Sequence, residues 1–103
     1  MGWASHAIKQ LCAGNDVTVK PRGGSMKGRV DSGSTVVVSP IDPSEYRVGD
    51  VVLCRVKGNE YLHLIRAIQP GPRFQIGNNI GGNPNGWIGS NSMFGKAIQI
   101  TPP

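Results

Sequence analysis

Acidic side chains, aromatic rings and sulfur are all scarce in this chain: six Asp and Glu, two each of Trp, Tyr and Phe, and two cysteines among 103 residues. The cysteines, Cys12 and Cys54, belong to no Cys-x-x-Cys, and no His-x-x-x-His occurs. A closely paired zinc site is therefore not expected, and neither is any metal or cofactor. No run approaches the roughly 20 apolar residues that a membrane-spanning helix needs. Met1 to Ala13 lacks the basic start and continuous apolar centre of a secretory signal. The expectation is a soluble, cytoplasmic protein whose cysteines are reduced and packed rather than bridged. Eleven Lys and Arg against six acids give a formal charge of +5, and Lys20, Arg22, Lys27 and Arg29 form the one local basic cluster. No aromatic platform is interleaved with it, so nucleic acid is not the expected partner.

Glycine and proline are abundant instead, 15 and 8 residues, while 38% of the chain is hydrophobic and spread along its length. That combination describes a loop-rich globular domain rather than disorder, and the length suits a single domain with no room for a second. Trp3, Ala7, Ile8 and Leu11 recur at helical spacing and Gly14 follows as a stop, predicting an amphipathic helix over residues 3–12. The β-branched runs Val17–Lys20, Thr35–Val38, Asp50–Val56, Glu60–Ile68, Arg73–Ile76 and Lys96–Thr101 are bounded by Gly, Pro, Asn or Ser and read as six strands. Two longer connections remain, Pro40–Pro43 and the Gly/Asn-rich Asn78–Asn91, the second long enough to be functional. The expected fold is mainly β, a curved sheet over residues 17–101 behind a short N-terminal helix and lead-in.

Two residues carry candidate chemistry. Ser25 follows Gly23 and Gly24, where the backbone can pass close to a neighbour and present both the hydroxyl and the Ser25 N–H to one carbonyl. His63 lies in a strand, and a period of two places it with Tyr61, Ile65 and Ala67 on one face and Leu62, Leu64, Arg66 and Ile68 on the other. Burial on that apolar face would lower the imidazole pKa and leave a neutral ring able to accept a proton. The same residues also fit a plain turn and a packed strand histidine.

Three blocks in order bear on that choice: Pro21-Arg22-Gly23-Gly24-Ser25-Met26; Val48 to Leu53 with Tyr61 to Ile65; and Ile76-Gly77-Asn78-Asn79 with Asn85-Gly86-Trp87 and Phe94-Gly95-Lys96. Over Val17 to Thr101 the chain resembles the catalytic domain shared by signal peptidases and LexA-like self-cleaving repressors, serine peptidases with a Ser-Lys or Ser-His dyad. The resemblance implies Ser25 as nucleophile and His63 as base, similar to the histidine of the archaeal and endoplasmic-reticulum type. Gly23, Gly24 and Met26 then fall in the oxyanion and substrate-binding box. The departures are specific. Lysine alternatives for the base are Lys20 and Lys57. Gly77-Asn78-Asn79 replaces the family's Gly-Asp-Asn, so Asn78 or Asn79 would orient the imidazole through an amide rather than a carboxylate. Gly28 stands where many relatives have proline, and about 16 residues precede the first strand, without the family's membrane anchor or DNA-binding domain. Ala13-Gly14 matches the bond cut in self-cleaving repressors but has little slack to reach Ser25 in cis. The expected function is a small soluble serine endopeptidase acting on a peptide or protein substrate. The alternatives are an inactive peptidase-fold module that binds an extended peptide by β-addition and, third, nucleic-acid binding.

Overall fold

The computed structural model describes residues 4–21, 26, 28–78, 81 and 84–103. One helix, α1 (Ser5–Cys12), is followed by seven strands: β1 (Val17–Val19), β2 (Thr35–Ser39), β3 (Val51–Val56), β4 (Asn59–Gln69), β5 (Arg73–Gly77), β6 (Gly86–Gly89) and β7 (Met93–Thr101). All are antiparallel in one sheet of order β1-β2-β7-β3-β4-β5-β6, curled into a half-barrel. The curl is tight enough that a Cβ built on Gly86 of β6 would lie 3.5 Å from Val56 Cγ1 of β3, with two strands between them in the order.

Both faces of the sheet are apolar because strand alternation divides β3 between them. Val51 and Leu53 join Leu62, Met26, Val30 and the Leu11 side of α1 in one buried cluster. Val52, Cys54 and Val56 join Ile65, Phe74 and Ile76 in the other, inside the curl. Tyr46 closes that inner layer with its ring edge-on to Phe74, centroids 5.4 Å apart at 74°. The helix turns its Ala7 and Leu11 inward and leaves Cys12 exposed at its end.

The expected fold class matches this architecture, and five details differ. The helix starts at Ser5, and Trp3 lies outside the described residues. The Asn78–Asn91 connection contains an edge strand, β6, whose Gly-Trp-Ile-Gly sequence is too short and glycine-rich to announce itself. The last strand begins at Met93 rather than Lys96. A bulge between Ile65 and Ala67 makes Arg66 an extra residue in β4, so the predicted alternation holds only as far as Ile65. Beyond it Ile68, not Ala67, sits opposite buried Phe74. Finally, the Ala13–Gly14 bond caps α1: Ala13 keeps helical angles (φ −85, ψ 0) and Gly14 N–H donates to Leu11 O at 3.0 Å. That backbone is not the extended form in which a peptide adds to a sheet edge.

Candidate active site

His63 is the best-defined member of the predicted pair. Strand β4 sets it directly opposite Val52 of β3, so its ring belongs to the inner, Val52-lined face, with Tyr61 and Ile65 two residues to either side. It is 6% exposed. The Tyr61 and His63 rings lie 4.8 Å apart at 33°, a tilted stack that fixes the plane of the imidazole. Nδ1 lies 2.8 Å from Leu62 O. A carbonyl oxygen only accepts, so Nδ1 carries the proton and the neutral ring keeps its lone pair on Nε2. Burial pulls the His63 pKa below its ordinary 6.5, and the hydrogen bond to Leu62 opposes that in part. At neutral pH the ring is a base with its acceptor nitrogen defined.

The open side of β4 leads to this ring. β5 pairs with β4 only from Gly77, opposite Leu64, onward to Gln69. Toward Asn59, β4 has no described strand partner on that side. His63 thus sits at the first position beyond the end of the β4–β5 ladder. Asn78, half-buried and involved in an interaction of its own, follows Gly77, the last residue of β5 and the partner of Leu64. The sequence offered Asn78 and Asn79 equally; Asn79 lies outside the described residues.

The nucleophile segment is pinned at both ends. Gly33 N–H donates to Pro21 O at 3.1 Å, closing the loop between β1 and β2. Met26 is 4% exposed, and its carbonyl accepts from Arg29 N–H at 3.0 Å and Val30 N–H at 2.7 Å to form one helical turn. Gly28 within that turn has φ 94 and donates its N–H to Asp31 Oδ1 at 3.0 Å. Proline, with φ fixed near −65° and no N–H, is excluded there, which accounts physically for the glycine. Arg29, counted in the sequence among the basic cluster, instead works as a clamp: Nη2 donates to Gly49 O at 2.9 Å, while Gly49 N–H donates to Ile65 O at 2.8 Å. The turn that follows Ser25 is therefore tied to β4 within two residues of His63.

Ser25, Gly23 and Gly24 lie outside the described residues. Met26 itself packs in the Leu62 and Val51 cluster, on the sheet face opposite His63; its expected place in the substrate box becomes that of a buried anchor beside the base strand. Neither lysine alternative is placed comparably. Lys57 and Gly58 form the two-residue β3–β4 turn with φ 51 and 81, and that tip stands about 13 Å along the hairpin from the level of His63. Lys20 is exposed after β1, an edge strand separated from β4 by three others. Cys54 is no rival nucleophile: burial pushes its thiol up to about 12. Among the described residues, no three His, Cys, Asp or Glu side chains converge on a metal position, and no helix is long and apolar enough to cross a membrane. The chain matches no family model and no curated protein sequence.

Proposed function

We propose that the protein is a small serine endopeptidase in which Ser25 is the nucleophile and His63 its general base, as the resemblance to signal peptidases and LexA-like peptidases implies. The observation that carries the reading is the state of His63: buried, neutral, protonated at Nδ1 by its bond to Leu62 O, and placed where one edge of β4 opens. Nε2 takes the Ser25 proton as Oγ attacks the peptide carbonyl, and the tetrahedral oxyanion rests on the Ser25 N–H with a second donor from Gly23 or Gly24. The imidazolium then returns the proton to the leaving amine nitrogen, and the acyl-enzyme is released by water that His63 activates in turn. The Nδ1–H bond to Leu62 O orients the ring, so Asn78, next after β5, stands in the place of the family's acidic residue without a ring nitrogen to bond. An amide cannot neutralise imidazolium, so turnover is slower than with a carboxylate in that place.

The substrate is an extended peptide. The edge of β4 from Asn59 to His63, without a strand partner on that side among the described residues, offers backbone donors and acceptors to a strand running past the base. That same edge supports the second reading, a module that binds such a peptide without cutting it. A mixed peptide library incubated with the full chain and analysed by mass spectrometry separates the two. New termini that vanish with Ser25→Ala and with His63→Ala are expected; a library left intact by the wild-type chain while peptides are retained would replace the peptidase with the binding module.

A further inference from the structure

Among the described residues the ion pairs are Arg55 with Glu60 and Lys96 with Asp50. Arg29, an exposed cation, turns its guanidinium to a backbone carbonyl instead: Nη2 donates to Gly49 O at 2.9 Å, across 20 residues of sequence. That carbonyl belongs to a braced corner. Gly49 N–H donates to Ile65 O at 2.8 Å, Ile65 N–H donates to Asp50 O at 2.9 Å, and Asp50 N–H donates to Arg47 O at 3.1 Å. The Asp50 carboxylate accepts from Arg47 N–H at 2.8 Å and stands 3.3 Å from Lys96 Nζ on β7. Ile65, which takes both bonds from this corner, shares its strand and its face with His63, two residues away. At the other end of the Arg29 side chain, Met26 and Val30 are 4% and 3% exposed in the outer cluster, and Met26 O accepts from the N–H groups of Arg29 and Val30. Apolar burial is non-directional, so these two anchors hold the turn against the sheet without fixing its tilt. A hydrogen bond to a braced carbonyl has a preferred line and supplies that restraint.

We infer that Arg29 is a positioning residue for the proposed Ser25–His63 pair: through Gly49 it holds the turn, to which Ser25 is joined by the Met26 amide, at one place relative to β4. The inference rests on the peptidase reading and adds to it a residue outside the nucleophile box and the base strand. Arg29 does not set the base. His63 is kept neutral by burial and oriented by Leu62 O, both within β4 and its packing, and Arg29 contributes to neither. Loss of the clamp therefore slows the attack of Ser25 while leaving the pH at which His63 gains its proton where it was. A misplacement of about 1 Å is enough to cost on the order of a hundredfold in rate. The guanidinium suits the task because its donors form a rigid planar fork, whereas a lysine ammonium is a point charge on a flexible stem and reproduces the restraint only in part.

The test is the rate at which a fluorophosphonate probe modifies Ser25 in the full chain from pH 5 to 9, for wild type, Arg29→Met and Arg29→Lys. Methionine keeps an unbranched stem at this exposed position and removes the donors and the charge. Arg29→Met is expected to label on the order of tenfold to a hundredfold more slowly than wild type, with the same pH midpoint, and Arg29→Lys to fall between the two. If Arg29→Met does not fold, Arg29→Lys carries the comparison, slower than wild type at an unchanged midpoint. An Arg29→Met chain that labels at the wild-type rate overturns the positioning role and leaves the peptidase reading standing. A slow variant whose pH midpoint has moved overturns it too, because the substitution has then disturbed β4 and the base itself, as does an Arg29→Lys chain no faster than Arg29→Met. A wild-type chain without a Ser25 adduct at any pH removes the Ser25–His63 pair and this inference together.

Discussion

As the proposed base, His63 has to meet two demands at once: it must be dry enough to stay neutral and open enough to receive a proton. Its lowered pKa has a consequence for stability as well as for chemistry. The unfolded chain binds the His63 proton more readily than the folded one, so stability is level above about pH 6.5 and falls as the pH drops through the lower folded value. Urea unfolding at pH 7.5 and pH 5 shows the fall in wild type, and His63→Gln makes it smaller. Asp42, whose carboxyl is lowered from 3.8 chiefly by the Ser44 N–H, acts only in a more acidic window. The two cysteines divide in the same physical way. Native chain treated with iodoacetamide is alkylated at exposed Cys12, whereas Cys54, with its thiol near 12 and buried in β3, reacts only after unfolding. At Gly95 the demand is steric: a Cβ there would lie 2.7 Å from Ser39 O and 2.9 Å from Val38 Cγ1. Gly95→Ala should lower stability by about 1–3 kcal/mol, read as a reduced urea midpoint, because the neighbour it strikes is β2 backbone.

At the scale of elements, β4 organises the molecule. Its first half pairs with β3 and its second with β5, and the change of partner exposes one edge at the level of His63. Phe74, fully buried opposite Ile68 of that strand, holds the inner layer; Phe74→Ala should cost about 3–5 kcal/mol, measured by the same unfolding curves. Most of these elements were legible in the sequence because β-branched runs such as Thr35–Val38 and Asp50–Val56 sit between turn residues. The shared face of Tyr61, His63 and Ile65 followed from a period of two for the same reason. What escaped was set by tertiary context. Nothing in Gly86–Gly89 marks a strand until Ile88 is seen packed in the inner cluster, and no local pattern betrays the extra residue at Arg66. Met26 read as part of a substrate box, yet its burial against Leu62 depends on a loop closed by Pro21 and Gly33, contacts remote from any motif.

For the whole molecule, a single curled sheet has apolar clusters on both faces, and the stretch of β4 next to the candidate base has no strand partner on one side among the described residues. The loop carrying Ser25 is anchored through Met26 and Arg29, and the proposed peptidase requires that His63 make Ser25 nucleophilic. The most direct measurement is the rate at which a fluorophosphonate probe modifies the intact chain, with the adduct mapped by mass spectrometry across pH 5 to 9. A serine activated by a neutral imidazole gives an adduct on Ser25 whose rate falls as acidification protonates His63, and which His63→Ala removes while leaving the fold intact. An adduct on Ser25 that forms at the wild-type rate in His63→Ala, or no adduct on Ser25 at any pH, would contradict it.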